Sequence, residues 1–375
     1  MAGIYIHIPF CKKICHYCDF YKTIDTGMAD SFLRALDKEI VLQKDYLVQS
    51  RIETIYIGGG TPSVLTAPQI RGILESITNV FDVSQNAEIT MEANPDDITG
   101  IYARDLKKAG INRISLGIQS WNNDVLKLLN RRHTVAEAEK ALLHLSRAGI
   151  DNISADLIYG IPGMTGRQWT DDLKHTFSFD IKHLSAYHLT LEEGTVFGKM
   201  TKLGEMKEID EEESEKQFNI LTAVCKKQGF IQYEISNFCK EGYFSVHNTN
   251  YWKQQAYLGL GPAAHSYNGG SRQWNISDIT GYISSIERNE LPATVENLGI
   301  KERYNEYIMT SLRTMWGIDP DFVEDNINKE SRDYLNNLAS RFLKYGMLTK
   351  KDNKLVLTDQ GKMISDNIIS ELMMD

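Results

Sequence analysis

The sequence predicts an α/β protein: a parallel sheet built from six βα units, arranged as an open doubly wound sheet or a partial barrel, followed by a mostly helical, winged-helix-like module. Three observations carry this. Short apolar, β-rich runs alternate with amphipathic stretches through about the first 190 residues. Polar and glycine residues of unusual type collect at the carboxyl end of run after run. Beyond residue 290 the pattern changes to helices followed by one hairpin.

The runs are "GIYIHIPF", "ETIYIGGGTPS", "AEITMEANP", "NRISLGIQS", "NISADLIYGIPG" and "KHLSAYHLT". Between them lie helix-like stretches such as "DSFLRALDKEIVLQKDYL" and "TVAEAEKALLHLSRAG", the second opening on a capping threonine and closing on glycine. Strands spaced this way pair in parallel, and function then gathers where the strands end. Cys11 to Cys18 follow the first run and Gly58 to Thr61 the second. Glu92 ends the third, Gln119 ends the fourth, and Asp156 lies within the fifth. The acidic stretch at 204–217 reads as the solvated start of a helix. A composition shift at "NELPATVENLG" divides the chain into domains 1–290 and 291–375. In the second, "RYNEYIMTSLRTMWG" and "SRDYLNNLASRFLKYG" read as helices and "KDNK" as a hairpin turn.

Length and composition fit a globular protein of one large and one smaller domain: 375 residues, 42% hydrophobic and 24% charged. The net charge of -9 and the acidic C-terminal module argue against a nucleic-acid partner. The N-terminus lacks the basic flank of a secretory signal, and no apolar run is long enough to span a bilayer. Five clustered cysteines, an odd number, do not suggest a disulfide framework. These features predict a cytoplasmic protein.

"CKKICHYC" holds three cysteines within eight residues. Zinc would need a fourth ligand, which His7 or His16 could supply. An iron–sulfur cube held by three thiolates keeps one iron open to another ligand, and the strand-end position favours that reading. Cys225 and Cys239 read as buried small hydrophobes, with a thiolate role left open. The glycines of "GGGTP" let backbone approach a ligand. Glu92, Gln119, Arg131 and Asp156 read equally as ligand contacts or as ordinary polar residues.

The spacing C-x3-C-x2-C, with Tyr17 before the last cysteine, resembles the signature of radical S-adenosylmethionine (SAM) enzymes. That resemblance implies a partial (β/α)6 barrel, a 4Fe–4S cluster on Cys11, Cys15 and Cys18, and SAM at the open iron. "YIHIPFCKKICHYC", "GGGTPS", "EANPD", "GIQSWN", "NISADLIYGIPG" and "GLGPAAHSY", in that order, resemble the branch of oxygen-independent coproporphyrinogen III oxidase and its haem-chaperone relatives. The likeness runs over nearly the whole chain. It implies SAM contacts at Tyr5, Tyr17, Gly59, Gly60, Thr61, Glu92, Gln119, Arg131, Asp156 and Ala186.

Two departures point to the chaperone group. The oxidase pattern has a further cysteine where this chain has Phe20, and "HNTNYW" matches a motif associated there with haem. The resemblance thus implies haem near His247, Asn248, Tyr251 and Trp252, with an imidazole for the iron and aromatic faces for the porphyrin. "GLGPAAHSY" reads as a tight turn near the substrate mouth, with His265 a second haem-ligand candidate. The function implied is delivery of haem to acceptor haemoproteins, with peripheral membrane contact where those acceptors are respiratory proteins. Coproporphyrinogen dehydrogenation and a zinc-stabilised protein-docking module are the alternatives. Regulation, electron transfer and radical chemistry all stay open as uses of the cluster, and the oligomeric state stays unassigned.

Overall fold

The structure, a computed structural model, describes residues 2–48 and 50–374. Strands β1 (Ala2–Ile8), β2 (Ile52–Gly59), β3 (Val83–Ala93), β4 (Arg113–Gln119), β5 (Asn152–Tyr159) and β6 (His183–His188) pair in parallel and in sequence order. Each of the six predicted runs supplies one of them. Alternation along a strand sorts its residues between two faces. In β1, Ile4, Ile6 and Ile8 are buried in the apolar core, whereas Tyr5 and His7 hydrogen-bond each other on the opposite face.

Helices cross between the strands where the periodicity places them. The helix Ala67–Val80 opens with a capping box in which Thr66 and Gln69 satisfy each other's backbone N–H groups. Thr134 and Glu137 do the same for Val135–Arg147, as do Thr165 and Gln168 for Gly166–Thr176. Three of the crossovers therefore start at positions written into four-residue motifs. Trp169 is fully buried in the last of these helices and donates its indole N–H to the Gln217 carbonyl at 3.0 Å.

The sheet extends beyond the six strands. β7 (Ile231–Glu234) and β8 (Asn237–Cys239) form an antiparallel pair, and β8 pairs with β6. On the other side β9 (Tyr257–Leu260) runs parallel to β1, and β10 (His265–Tyr267), β11 (Ser271–Asn275) and β12 (Ala293–Asn297) follow antiparallel. The result is one open sheet of 12 strands with β12 and β7 at its edges. It does not close on itself, which is the partial barrel. "GLGPAAHSY" is thus more than a turn: its first two residues end β9 and its last three form β10. Strands of three and four residues are too short to show a period, which is why the sequence does not announce them.

A buried carboxylate ties this extension to the barrel. Glu39, on the helix Ala29–Leu42, accepts hydrogen bonds from Gly261 N at 2.8 Å, Asn275 Nδ2 at 2.6 Å and the Tyr282 hydroxyl at 2.6 Å. Burial raises its pKa against the lowering effect of those donors.

A second apolar core gathers residues from Tyr304 to Leu372. It contains the helices Ile300–Leu312, Pro320–Asn326 and Lys329–Lys344 and the hairpin β13 (Leu348–Lys351) to β14 (Lys354–Leu357). Asp352 and Asn353 turn that hairpin with φ of 50° and 64°, the left-handed pair that a two-residue turn requires. β12 carries the main sheet past residue 290, so the expected boundary falls just before the last strand of the sheet. Replacing Trp169 by Ala should cost about 3–5 kcal/mol of unfolding free energy. Denaturant titration would read this as a lower midpoint, and an unchanged midpoint would mean that this contact does not hold the sixth unit.

Candidate functional site

The carboxyl ends of the strands enclose a cavity of about 560 Å³. Its wall includes Cys11, Cys15, Tyr17, Cys18, Gly59, Gly60, Thr61, Glu92, Gln119, Arg131 and Asp156. Five strand ends and the loop between them therefore bring eleven of the residues singled out from the sequence onto one surface. Asn248 of the "HNTNYW" motif joins them.

The cysteine loop is held by backbone hydrogen bonds at both ends and in the middle. Cys11 N donates to Thr23 O at 2.8 Å and Thr23 N to Pro9 O at 2.7 Å, closing the loop at its base. His16 N donates to Leu129 O at 3.2 Å, Asn130 Nδ2 to Ile14 O at 2.7 Å, and Phe197 N to His16 O at 3.0 Å. All five cysteines are free thiols.

Each thiol of the loop has its own donor or cation. The Thr61 hydroxyl donates to Cys11 Sγ at 3.3 Å, and Arg131 Nη1 to Cys15 Sγ at 3.3 Å. The Lys22 ammonium, donating to the Cys18 and Phe20 carbonyls at 2.6 and 2.9 Å, acts electrostatically on Cys18. Burial raises the pKa of Cys11 and Cys18, while Thr61 and Lys22 respectively oppose the rise.

The glycine segment approaches this loop edge-on. Gly60 N donates to Ile8 O at 2.8 Å, and a Cβ on Gly60 would stand 3.0 Å from Cys11 Sγ. Gly59 has φ +109°, and a Cβ there would meet the His7 ring at 2.8 Å. No side chain fits at either place, which is the physical reason for glycines at 59 and 60, where β2 ends.

Glu92 accepts from the Tyr56 hydroxyl at 2.8 Å and from Gly59 N at 3.1 Å. Burial raises its pKa to about 7, so the carboxyl is poised to change charge near neutral pH. Asp156 accepts from the Ser115 and Ser154 hydroxyls at 2.7 and 2.8 Å, and burial raises its pKa as well. Gln119 ends β4 with φ 68°, beyond a register shift after Gly117. The shift stops β4 from continuing straight at the point where Gln119 lines the cavity. Arg131 spans the wall, with Nη2 on Asn94 Oδ1 at 2.5 Å and on Gly117 O at 2.7 Å.

Two of the residues implied as SAM contacts lie outside this wall. Tyr5 stands beneath it, its hydroxyl 3.0 Å from His7 Nδ1, and Ala186 is buried within β6. Sequence reasoning overlooked Tyr56, Ser115, Tyr187 and His188, which also line the cavity. Tyr56 and Ser115 stand two residues before Gly58 and Gly117 on their strands, and that spacing was a usable signal for the inner face.

The helix Val246–Trp252 packs under the barrel floor rather than at the cavity mouth. His247 is buried, its Nδ1 2.8 Å from the Thr54 hydroxyl and its Nε2 2.7 Å from the Tyr251 hydroxyl. It stacks on Tyr56, and Glu88 accepts its backbone N–H. Both nitrogens of the imidazole expected near haem are thus engaged by hydroxyls. Trp252 keeps its indole N–H without a partner, and Arg313 lies over its ring at 5.9 Å. His265 is exposed and stacks on Trp274. Cys225 and Cys239 are buried away from the cavity.

The Radical SAM superfamily matches residues 5–175, and the HemN C-terminal domain matches 300–364. A Bacillus subtilis (strain 168) protein named heme chaperone HemW is 32% identical over 376 residues, covering 100% of this chain and 99% of its own length. The Lactococcus lactis protein of the same name is 32% identical over 372 residues, covering 99% and 97%. The chain belongs to the HemW family of the radical SAM superfamily. In fold it resembles coproporphyrinogen III oxidase (HemN) from Escherichia coli, with a TM-score of 0.85 at 23% identity over 99% of this chain and 90% of that one.

Membership of the superfamily implies SAM and a 4Fe–4S cluster. The residues present fit that pair: three free thiols with separate donors, a side-chain-free glycine edge, and carboxyl and guanidinium groups around one cavity. Among the described residues, no three His, Cys, Asp or Glu side chains group tightly enough to hold a single metal ion. Among the described residues, no helix is long and apolar enough to cross a membrane.

The buried His247 gives stability a defined pH dependence. Burial, with Arg113 adding to it, lowers its pKa from 6.5 to about 3. The unfolded chain therefore takes up a proton that the folded one refuses, so this contribution is complete above 6.5 and is lost as pH falls toward 3. In denaturant titrations across that window, His247→Gln should show a shallower loss of stability than the parent. Equal slopes would mean that His247 is not held neutral by the fold.

Proposed function

We propose that this chain is a cytoplasmic haem chaperone: it carries a 4Fe–4S cluster on Cys11, Cys15 and Cys18, binds SAM beside it, holds haem, and passes haem to acceptor haemoproteins. Full-length similarity to proteins named heme chaperone HemW supports the haem and delivery parts. The observation that carries the cluster part is the convergence of three free thiols on a cavity ringed by Gly59, Gly60, Glu92, Gln119, Arg131 and Asp156. When bound, the cluster is a one-electron donor with an iron that no protein thiolate caps. Arg131 and Lys22 offset the negative charge of the thiolates. Glu92 and Asp156 offer acceptors to hydroxyl and ammonium groups, and the glycine edge offers backbone to a flat or extended ligand.

Phe20 favours the chaperone over coproporphyrinogen dehydrogenation. It stands where the oxidase pattern has a cysteine, it is 69% exposed, and it lines the cavity. A large apolar face at the mouth suits contact with a porphyrin or an acceptor and supplies no thiol. For haem itself, Asn248 is the member of "HNTNYW" on the cavity wall. Ligation by His247 would require its bond to Thr54 or Tyr251 to open first. Domains 1–290 and 291–375 would divide these tasks, the first holding cofactors and the second serving as a lid or a docking surface for acceptors. Where acceptors are respiratory proteins, they would bring the chain to the membrane surface.

Anaerobic haem titration of cluster-reconstituted protein tests this reading, with about four iron and four sulfide per chain expected beforehand. Saturable binding with a distinct visible spectrum, shifted or weakened in His247→Ala, would support haem near the motif. Unsaturable, identical curves for both proteins would remove the haem site, and turnover of coproporphyrinogen with SAM would then favour the oxidase.

A further inference from the structure

The interior of the barrel holds a line of hydrogen bonds that runs from the cavity wall to its far side. Asp156 Oδ1 is 2.8 Å from Ser154 Oγ, Ser154 Oγ is 2.8 Å from His183 Nδ1, and His183 Nε2 is 2.6 Å from the Tyr233 hydroxyl. Tyr233 in turn faces the backbone N–H of Ser245 at 3.4 Å. Ser154, His183, Tyr233 and Ser245 are all fully buried, whereas Asp156 lines the cavity.

Proton counting gives this line one direction. The Ser245 N–H can only donate, so the Tyr233 oxygen accepts it and the Tyr233 O–H is free to donate onward. Burial, with Arg113 adding to it, holds His183 well below its ordinary pKa, so the ring is neutral and carries one N–H. With Nε2 accepting from Tyr233, that proton sits on Nδ1 and is donated to Ser154. The serine then has its single proton left for Asp156. Every bond in the chain points toward the carboxylate.

We infer that His183 and Tyr233 are positioning residues: without touching any ligand, they fix the Ser154 hydroxyl as a donor to Asp156 and so orient that carboxylate in the cavity. The Ser115 hydroxyl holds the other oxygen at 2.7 Å, so each oxygen has its own hydroxyl donor while the residue lines the cavity. This rests on the proposal that Asp156 contacts SAM. It also links the cavity to the seat of the C-terminal module. Tyr233 O accepts from Met315 N at 3.0 Å, its neighbour Glu234 pairs with Arg313 at 3.2 Å, and its ring lies 6.2 Å from that of Trp316.

Tyr233→Phe isolates the effect, because it removes one oxygen from a site far from the ligand. Without the phenol proton, His183 is free to carry its proton on Nε2 and to accept from Ser154 on Nδ1, which turns the serine away from Asp156. Equilibrium dialysis of SAM against anaerobic, cluster-loaded full chain should show affinity falling about tenfold in Tyr233→Phe, the scale for one hydrogen bond to a charged group. His183→Phe should fall similarly, and His183→Asn, which can keep a donor near the Nδ1 position, should recover much of the loss. In an Asp156→Asn background, Tyr233→Phe should have no further effect. Unchanged affinity in Tyr233→Phe with a loss in Asp156→Asn would overturn the positioning role. Unchanged affinity in Asp156→Asn would instead remove the underlying assignment of Asp156 to SAM. Should His183→Phe fail to fold, Tyr233→Phe and the double variant decide the matter alone.

Discussion

The chemistry of this protein depends on one constraint: the loop from Cys11 to Thr23 must stay fixed over the strand ends while its three thiols stay unpaired. The loop's larger apolar side chains, Ile14 and Phe20, are exposed rather than packed inward. It is held instead by backbone hydrogen bonds to Pro9, Leu129 and Phe197 and by the Asn130 side chain. Those partners come from three different units of the sheet, so the loop takes its shape only after the parallel sheet has formed. The glycine edge after β2 is a consequence. With the loop so close, no side chain can stand at Gly60.

A second rule, that buried polar groups find partners, shapes most of the barrel interior; among the described residues Thr90 Oγ1 and Arg113 Nε and Nη1 are exceptions. Thr54, Ser154, His183, Tyr233 and His247 lie below the cavity and Ser185 on its wall, all of them buried. They satisfy one another in short chains, one of which ends on the Asp156 carboxyl at the cavity through Ser154, while Tyr56 donates separately to Glu92. An apolar interior would have been simpler to stabilise. A polar one restricts side-chain orientation, because hydroxyls and imidazoles must be aimed at their partners. The same burial that raises Glu92 and Asp156 keeps His183 and His247 neutral.

The C-terminal module meets the barrel at β7, where residues 313–315 pair with Tyr233, Glu234 and Ile235. Beside these backbone and ionic contacts, the Trp316 ring packs near Tyr233 and Phe244, and Ile235 packs against the module's core. The seam thus combines an addition to the edge of the sheet with aromatic packing.

Much of this was readable beforehand. The six strands, three capped helices and the "KDNK" hairpin follow from local rules of periodicity, capping and turn chemistry, which act within a few residues of sequence. The strand-end cluster of Cys11, Gly59, Gly60, Glu92, Gln119 and Asp156 was also legible, because a parallel sheet sends every such end to one side. The sheet extensions, the Glu39 tie and the engaged ring of His247 were not. Each pairs residues separated by long stretches of chain, as Glu39 with Tyr282 or Thr54 with His247. "HNTNYW" shows an imidazole and two aromatic rings by composition alone, but whether that imidazole faces a ligand or a threonine depends on which strand the helix packs against. Local sequence determined the elements and the residue types at their ends. Long-range packing decided which of those residues meet, because hydrogen-bond partners are chosen only when distant strands and helices are already side by side.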